Sequence, residues 1–119
     1  LNEGCDGSGC SPSAVANTVA SCPTGCDHEI RLYDSWGDGW NGGMVDVYVA
    51  GALVINDGTL GSGSGPATYT FSAGTGDLIQ VYYTAGSWPW ENYYQVYDGT
   101  GSLIMLQTAS DGSATGTCP

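Results

Sequence analysis

From Glu29 to Gln107 the chain divides into seven short runs: EIRLYD, MVDVYVA, ALVIN, TYTF, DLIQVYYT, YYQVYD and LIMLQ. Each is rich in Val, Ile, Leu, Thr or Tyr, and Gly, Asp, Asn or Ser stands between them. Such runs, repeating about every 8–15 residues without a helical period, specify β-strands joined by tight turns. Within Met44–Ala50, Val45, Val47 and Val49 alternate with Met44, Asp46 and Tyr48, the pattern of a strand buried on one face. Ala50-Gly51 predicts a two-residue hairpin into Ala52–Asn56. Asp98-Gly99-Thr100-Gly101 predicts a second hairpin, between Tyr93–Tyr97 and Leu103–Gln107. The expected fold is all-β: an antiparallel β-sandwich or jelly roll of about seven to eight strands over residues 28–119. Residues 1–27 read instead as a small, polar arm strapped down by sulfur.

At 119 residues there is room for one domain with one modest core. The 20 Gly residues raise the question of disorder, but 4 Trp, 8 Tyr and 41% hydrophobic residues answer it. Lys plus Arg is 1 against 12 Asp plus Glu, a net charge of -11, with Arg31 the single strong cation. Nothing here neutralises a row of phosphates, so nucleic acid is excluded as a partner, and attraction to an anionic membrane fails for the same reason. Membrane insertion is not expected, since no apolar run approaches the ~18 residues of a span. Beginning at Leu1, the chain reads as a processed product, a fragment or one unit of an array.

Five cysteines, Cys5, Cys10, Cys22, Cys26 and Cys118, point to an oxidising compartment, with one sulfur left over from any intrachain pairing. Cys5 with Cys10 makes an easy local loop. Cys118 can close the module onto Cys22 or Cys26 if the chain ends lie together. Cys5, Cys10, Cys22, Cys26 and His28 also have a loose likeness to zinc-ligand spacing, although the pairs are wider than the usual tight type. Ser21-Cys22-Pro23 is echoed by Thr117-Cys118-Pro119, which is the kind of recurrence that an array of units produces.

Chemistry concentrates in two loops. Asp34-Ser35-Trp36-Gly37-Asp38-Gly39-Trp40-Asn41-Gly42-Gly43 places two carboxylates four residues apart on a backbone able to bend sharply. Such a loop suits a hard cation that takes several oxygens at about 2.4 Å. Ala85-Gly86-Ser87-Trp88-Pro89-Trp90-Glu91-Asn92 adds a carboxylate and an amide beside two more Trp residues. If the loops meet, Asp34, Asp38, Asp46 and Glu91 form a candidate Ca2+ site. The bland alternative is an Asx-turn, in which Asp34 and Asp38 bond nearby backbone N–H groups. Trp36, Trp40, Trp88 and Trp90, with Asn41, are the candidate ligand or interface residues. Indoles serve equally as loop anchors, as protein contacts and as platforms for sugar rings. Catalysis has little support: there is one His and no nucleophile signature, and short loops offer little cleft for a glycosidase carboxylate pair.

The segments LYDSWGDGWNGG, VDVYVAGALVINDGTL and GDLIQVYYTAGSWPWENYYQVYDGTGSLI resemble a module of secreted and surface proteins of Bacteroidetes-type bacteria and of some algae and other protists. The resemblance covers about residues 28–107 and matches at Asp34, Asp38, Trp40, Asn41 and Glu91. It implies extracellular multidomain or repetitive proteins, and it implies that the two loops act as one site. The expected function is a non-catalytic extracellular building block that assembles head to tail with copies of itself into a surface fibre or array, Ca2+-stabilised and disulfide-linked. The alternative is a Ca2+-dependent carbohydrate-binding or adhesion module with glycans as partners. An accessory domain of a larger secreted enzyme is a third reading.

Overall fold

A computed structural model describes residues 25–119. The strands are β1 (Cys26–Asp34), β2 (Met44–Val49), β3 (Ala52–Gly58), β4 (Ala67–Ala73), β5 (Leu78–Thr84), β6 (Asn92–Tyr97), β7 (Leu103–Thr108) and β8 (Gly112–Thr115). They form two four-stranded antiparallel sheets, in the orders β4-β1-β6-β7 and β3-β2-β5-β8. This is the β-sandwich expected from the strand runs. β1 begins at Cys26, so Cys26 and Asp27 join the sheet ahead of residue 28. The arm before them, with Cys5, Cys10 and Cys22, lies outside the described residues.

Alternation builds the core. His28, Ile30, Leu32 and Asp34 face inward from β1, Val45, Val47 and Val49 from β2, and Tyr94 and Val96 from β6. Ile79 and Val81 of β5, Phe71 of β4 and Met105 of β7 complete the layer between the sheets. Stripping the apolar side chains among these from water is worth about 1.5–3 kcal/mol each, which makes the inward alternation the main determinant of register. On the outer face, Tyr33 and Tyr93 stack across the β1–β6 pair at 4.9 Å between centroids.

Both expected hairpins are present. Val49 pairs with Ala52 across Ala50 and Gly51, whose φ values of 50° and 83° give the positive-φ turn that matches strand twist. In the β6–β7 turn the Asp98 carboxylate accepts from the backbone N–H groups of Thr100 and Ser102 and from the Thr100 hydroxyl, at 2.7–3.1 Å.

Strand directions give the sandwich two ends. The basal end carries Cys26, the 98–102 turn and the C-terminal residues. There Cys26 is joined to Cys118 with 5.8 Å between Cα atoms. Of the two bridges available to Cys118 from the sequence, the one to Cys26 forms. Cys26 is therefore no thiolate ligand, which removes the zinc reading for it. His28 is buried beside it, its Nδ1 at 3.0 Å from the Cys26 carbonyl and its Nε2 accepting from the Thr117 N–H at 3.3 Å. The apical end collects the connections 35–43, 59–66, 85–91 and 109–111.

Candidate functional site: an acidic cluster ringed by tryptophans

β1 ends on Asp34, an inward position at the point where the two sheets part, and the residue is 2% exposed. The following loop coils about its carboxylate. Oδ1 accepts the N–H of Trp36 at 3.3 Å, and Oδ2 accepts those of Gly37 and Asp38 at 2.9 and 2.7 Å. The Asx-turn expected as an alternative is thus formed by Asp34. Gly37 and Gly39, with φ of 90° and 82°, supply the left-handed conformations that let the chain close so tightly.

The next residue decides the shape of the apex. Gly39 lies flat on the 59–66 connection: a Cβ there would come within 2.8 Å of the Gly61 carbonyl oxygen. Trp40 then turns inward and is fully buried, donating its indole N–H to the Tyr33 carbonyl at 2.7 Å and meeting Tyr83 edge-on at 5.6 Å. Trp40 therefore leaves the candidate ligand or interface set. It is the loop's anchor, a bulky apolar body whose one polar atom finds a buried acceptor. Trp36, at 75% exposure, stands in the same loop with its ring in solvent.

Asn41, also left-handed at φ 52°, donates through Nδ2 to the Gly39 carbonyl and accepts the Ser87 N–H at 3.0 Å on its own carbonyl. That contact joins the two loops. In the second loop a single 3-10 turn, Pro89–Glu91, follows a left-handed Trp88. Its last carbonyl, on Glu91, accepts both the Ser35 N–H at 2.9 Å and the Ser35 hydroxyl at 3.2 Å. The turn swings the Glu91 carboxylate into the sandwich while Trp88 and Trp90 remain 52% and 68% exposed.

The outcome is a cluster in which carboxylate oxygens of Asp34, Asp38 and Glu91 lie within 4.8 Å of one another. Asp38 is exposed; Asp34 and Glu91 are buried. Asp46 does not join them. It sits on the outward face of β2 and accepts the Asp57 N–H at 2.8 Å, inside the irregular β2–β3 pairing. Asn92, read from the sequence as the second loop's amide but left out of the acidic set, stands next to Glu91 in the chain. Directly opposite Asp34 in the β1–β6 register and fully buried, it donates through Nδ2 to the Tyr83 hydroxyl at 2.9 Å.

Burial pushes the Glu91 carboxyl above its usual value, and the negative charges of Asp38 and Asp34 push it the same way. Burial also pushes Asp34 upward, but hydrogen bonds from Asp38 and from the Trp36 and Gly37 N–H groups outweigh it and hold Asp34 low. The two carboxylates are thereby driven apart in proton affinity. Neither Arg31 nor His28 relieves them. Arg31 pairs with Glu29 and lies over the Tyr97 ring at 4.3 Å, and His28 is at the basal end.

Comparison of this chain with protein-family models, with curated proteins and with solved structures finds no match.

Proposed function

We propose that this chain is a non-catalytic structural module of the extracellular space that assembles head to tail with copies of itself into a surface fibre or array. The observation that carries the reading is polarity. The arm enters at the basal end through Gly25 and Cys26, whereas Trp36, Trp88 and Trp90 crown the opposite end. Exposed indoles on a braced loop are strong anchors for a protein contact. With Cys26 and Cys118 joined, three cysteines remain in the arm, Cys5, Cys10 and Cys22, an odd number that leaves at least one sulfur for a bond outside the chain's own pairings. The disulfide is compatible with an oxidising, extracellular setting, and the resemblance to secreted and surface modules points the same way. Among the described residues no helix is long and apolar enough to cross a membrane.

Glycosidase chemistry fits the apex poorly. A retaining pair needs about 5–5.5 Å between carboxyl groups and an inverting pair more, with a sugar ring between them. Here Asp34 and Glu91 are both buried, so neither presents an open carboxylate to a sugar ring.

Sedimentation velocity and electron microscopy of the full chain test the proposal. The expected result is large assemblies that fail to form when Trp36 and Trp90 are both changed to Ser. A monomer at all concentrations would overturn it. A second reading, a Ca2+-dependent carbohydrate-binding or adhesion module, is favoured by the same three exposed indoles around an acidic cluster. It predicts a monomer whose Trp fluorescence is quenched by polysaccharides.

A further inference from the structure

Three carboxylates crowd one another at the apex, and two of them are withdrawn from water. Glu91 is 6% exposed, and its Oε1 has neither a hydrogen-bond partner nor solvent. Beside it, Asn92 is 0% exposed, and its Oδ1 is likewise without a partner. Cross-strand pairing sets Asn92 against Asp34, both on the inner face at the mouth of the sandwich. A buried acceptor left unpaired is costly, and two in adjacent residues beside an acidic cluster call for a partner, which a cation supplies as well as a hydrogen-bond donor does. Among the described residues no cationic side chain supplies it. The chain's single Arg is on the outer face of β1 with Glu29, and its single His is held at the basal end by Cys26 and Thr117.

We infer that Asp34, Asp38, Glu91 and Asn92 form a binding site for one hard divalent cation, Ca2+ by its oxygen-only donor set. Asp34 retains a place for it. A carboxylate has about four acceptor positions, and three backbone N–H groups fill two on Oδ2 and one on Oδ1. Asp38 reaches the site from the solvent side and gives the ion its path in. Ca2+ takes six to eight oxygens in flexible geometry, which backbone carbonyls of a Gly-rich loop and water can complete. Mg2+ demands a near-ideal octahedron and parts with its water reluctantly, so it is the poorer fit. Bound here, the cation ties the end of β1 to the 85–91 connection and braces the backbone that carries Trp36 and Trp90. The site rests on neither reading of the function and serves both.

The test uses the full chain after chelation. Thermal unfolding is followed with and without Ca2+, and Tb3+ luminescence is excited through the neighbouring indoles. Wild-type protein should gain about 10 °C when Ca2+ exceeds its Kd about a hundredfold. It should also show Tb3+ emission that Ca2+ displaces. Asp38→Asn removes a ligand whose carboxylate is exposed, so the fold survives it; Glu91→Gln removes a buried charge and keeps its shape. Each should weaken Ca2+ binding at least about tenfold, the scale expected for one lost charged ligand. Asp46→Asn should bind as wild type does. Absence of any Ca2+ effect on wild type at millimolar concentration would overturn the site and leave the cluster to a shared proton. Wild-type Ca2+ affinity in both Asp38→Asn and Glu91→Gln would also overturn it, placing the ion elsewhere.

Discussion

Replacing Cys26 and Cys118 together by Ala isolates what closing the sandwich contributes, and the double change avoids a new thiol that exchanges with Cys5, Cys10 or Cys22. The bridge spans 92 residues of sequence. The chain-entropy relation for a loop of that length gives about 4.6 kcal/mol at 25 °C, nearly all of it from restriction of the unfolded chain. Native contacts at the basal end survive the change: Gly99 still donates to the Thr117 carbonyl, Gly76 to that of Gly116, and residue 118 to the Thr75 hydroxyl, at 2.9–3.0 Å. The folded state should therefore look the same while its stability falls. Urea unfolding followed by fluorescence of the buried Trp40 reads the effect. With a slope of about 1 kcal/mol per molar urea, the midpoint should drop by about 4.6 M. Set against a total of about 5–15 kcal/mol for a small domain, the loss leaves the variant barely folded when warm. A loss under about 1 kcal/mol would refute the reasoning, because the unfolded chain would then owe its restriction to something other than the bridge.

Three further outcomes follow from single positions. Trp40→Ala should cost about 3–5 kcal/mol in urea unfolding, whereas Trp36→Ala should stay within about 0.5 kcal/mol, although both stand in one loop. Gly86→Ala drives a Cβ into the Asn41 carbonyl oxygen and the Gly43 nitrogen, so it should lower stability by about 1–3 kcal/mol and loosen the joint between the apical loops, seen as faster amide exchange at Ser87. Hydrogen bonds from the Thr100 side chain and from backbone N–H groups hold Asp98 below its usual 3.8. Its contribution is therefore complete above that value and lost as pH falls through the lower folded-state value. Asp98→Asn should accordingly destabilise at pH 7, and its gap to wild type should shrink in unfolding curves taken below pH 4.

Much of the fold was legible because strand alternation and turn chemistry are local. Val45, Val47 and Val49 announce their own burial, and Ala50-Gly51 announces its turn. β8 was not legible: Gly112–Thr115 reads GSAT, too small and too short to show a period, and it is a strand because β5 offers it an edge. The apex was half legible. Asp34, Asp38 and Glu91 were named from the two loops, and they meet. Trp40 and Trp36 look alike in sequence, and their opposite fates depend on Leu60, Gly61 and Tyr33, which only the fold brings near. Asp46 carried its own signal. Standing between inward Val45 and Val47, it had to point outward on β2, away from the inward-facing carboxylates of Asp34 and Glu91. Asn92 showed as the second loop's amide, but only the register, which set it opposite Asp34, gave it a place at the apex.

Mass analysis of the native protein without and then with reductant tests the central claim, assembly of copies through the arm, most directly. The account predicts a ladder of covalent species or very large assemblies that collapses to single chains of 12.2 kDa on reduction. It also predicts an interchain linkage at Cys5, Cys10 or Cys22, with Cys26–Cys118 intact within each chain before reduction. A single-chain mass in both conditions, with one free thiol, would contradict it.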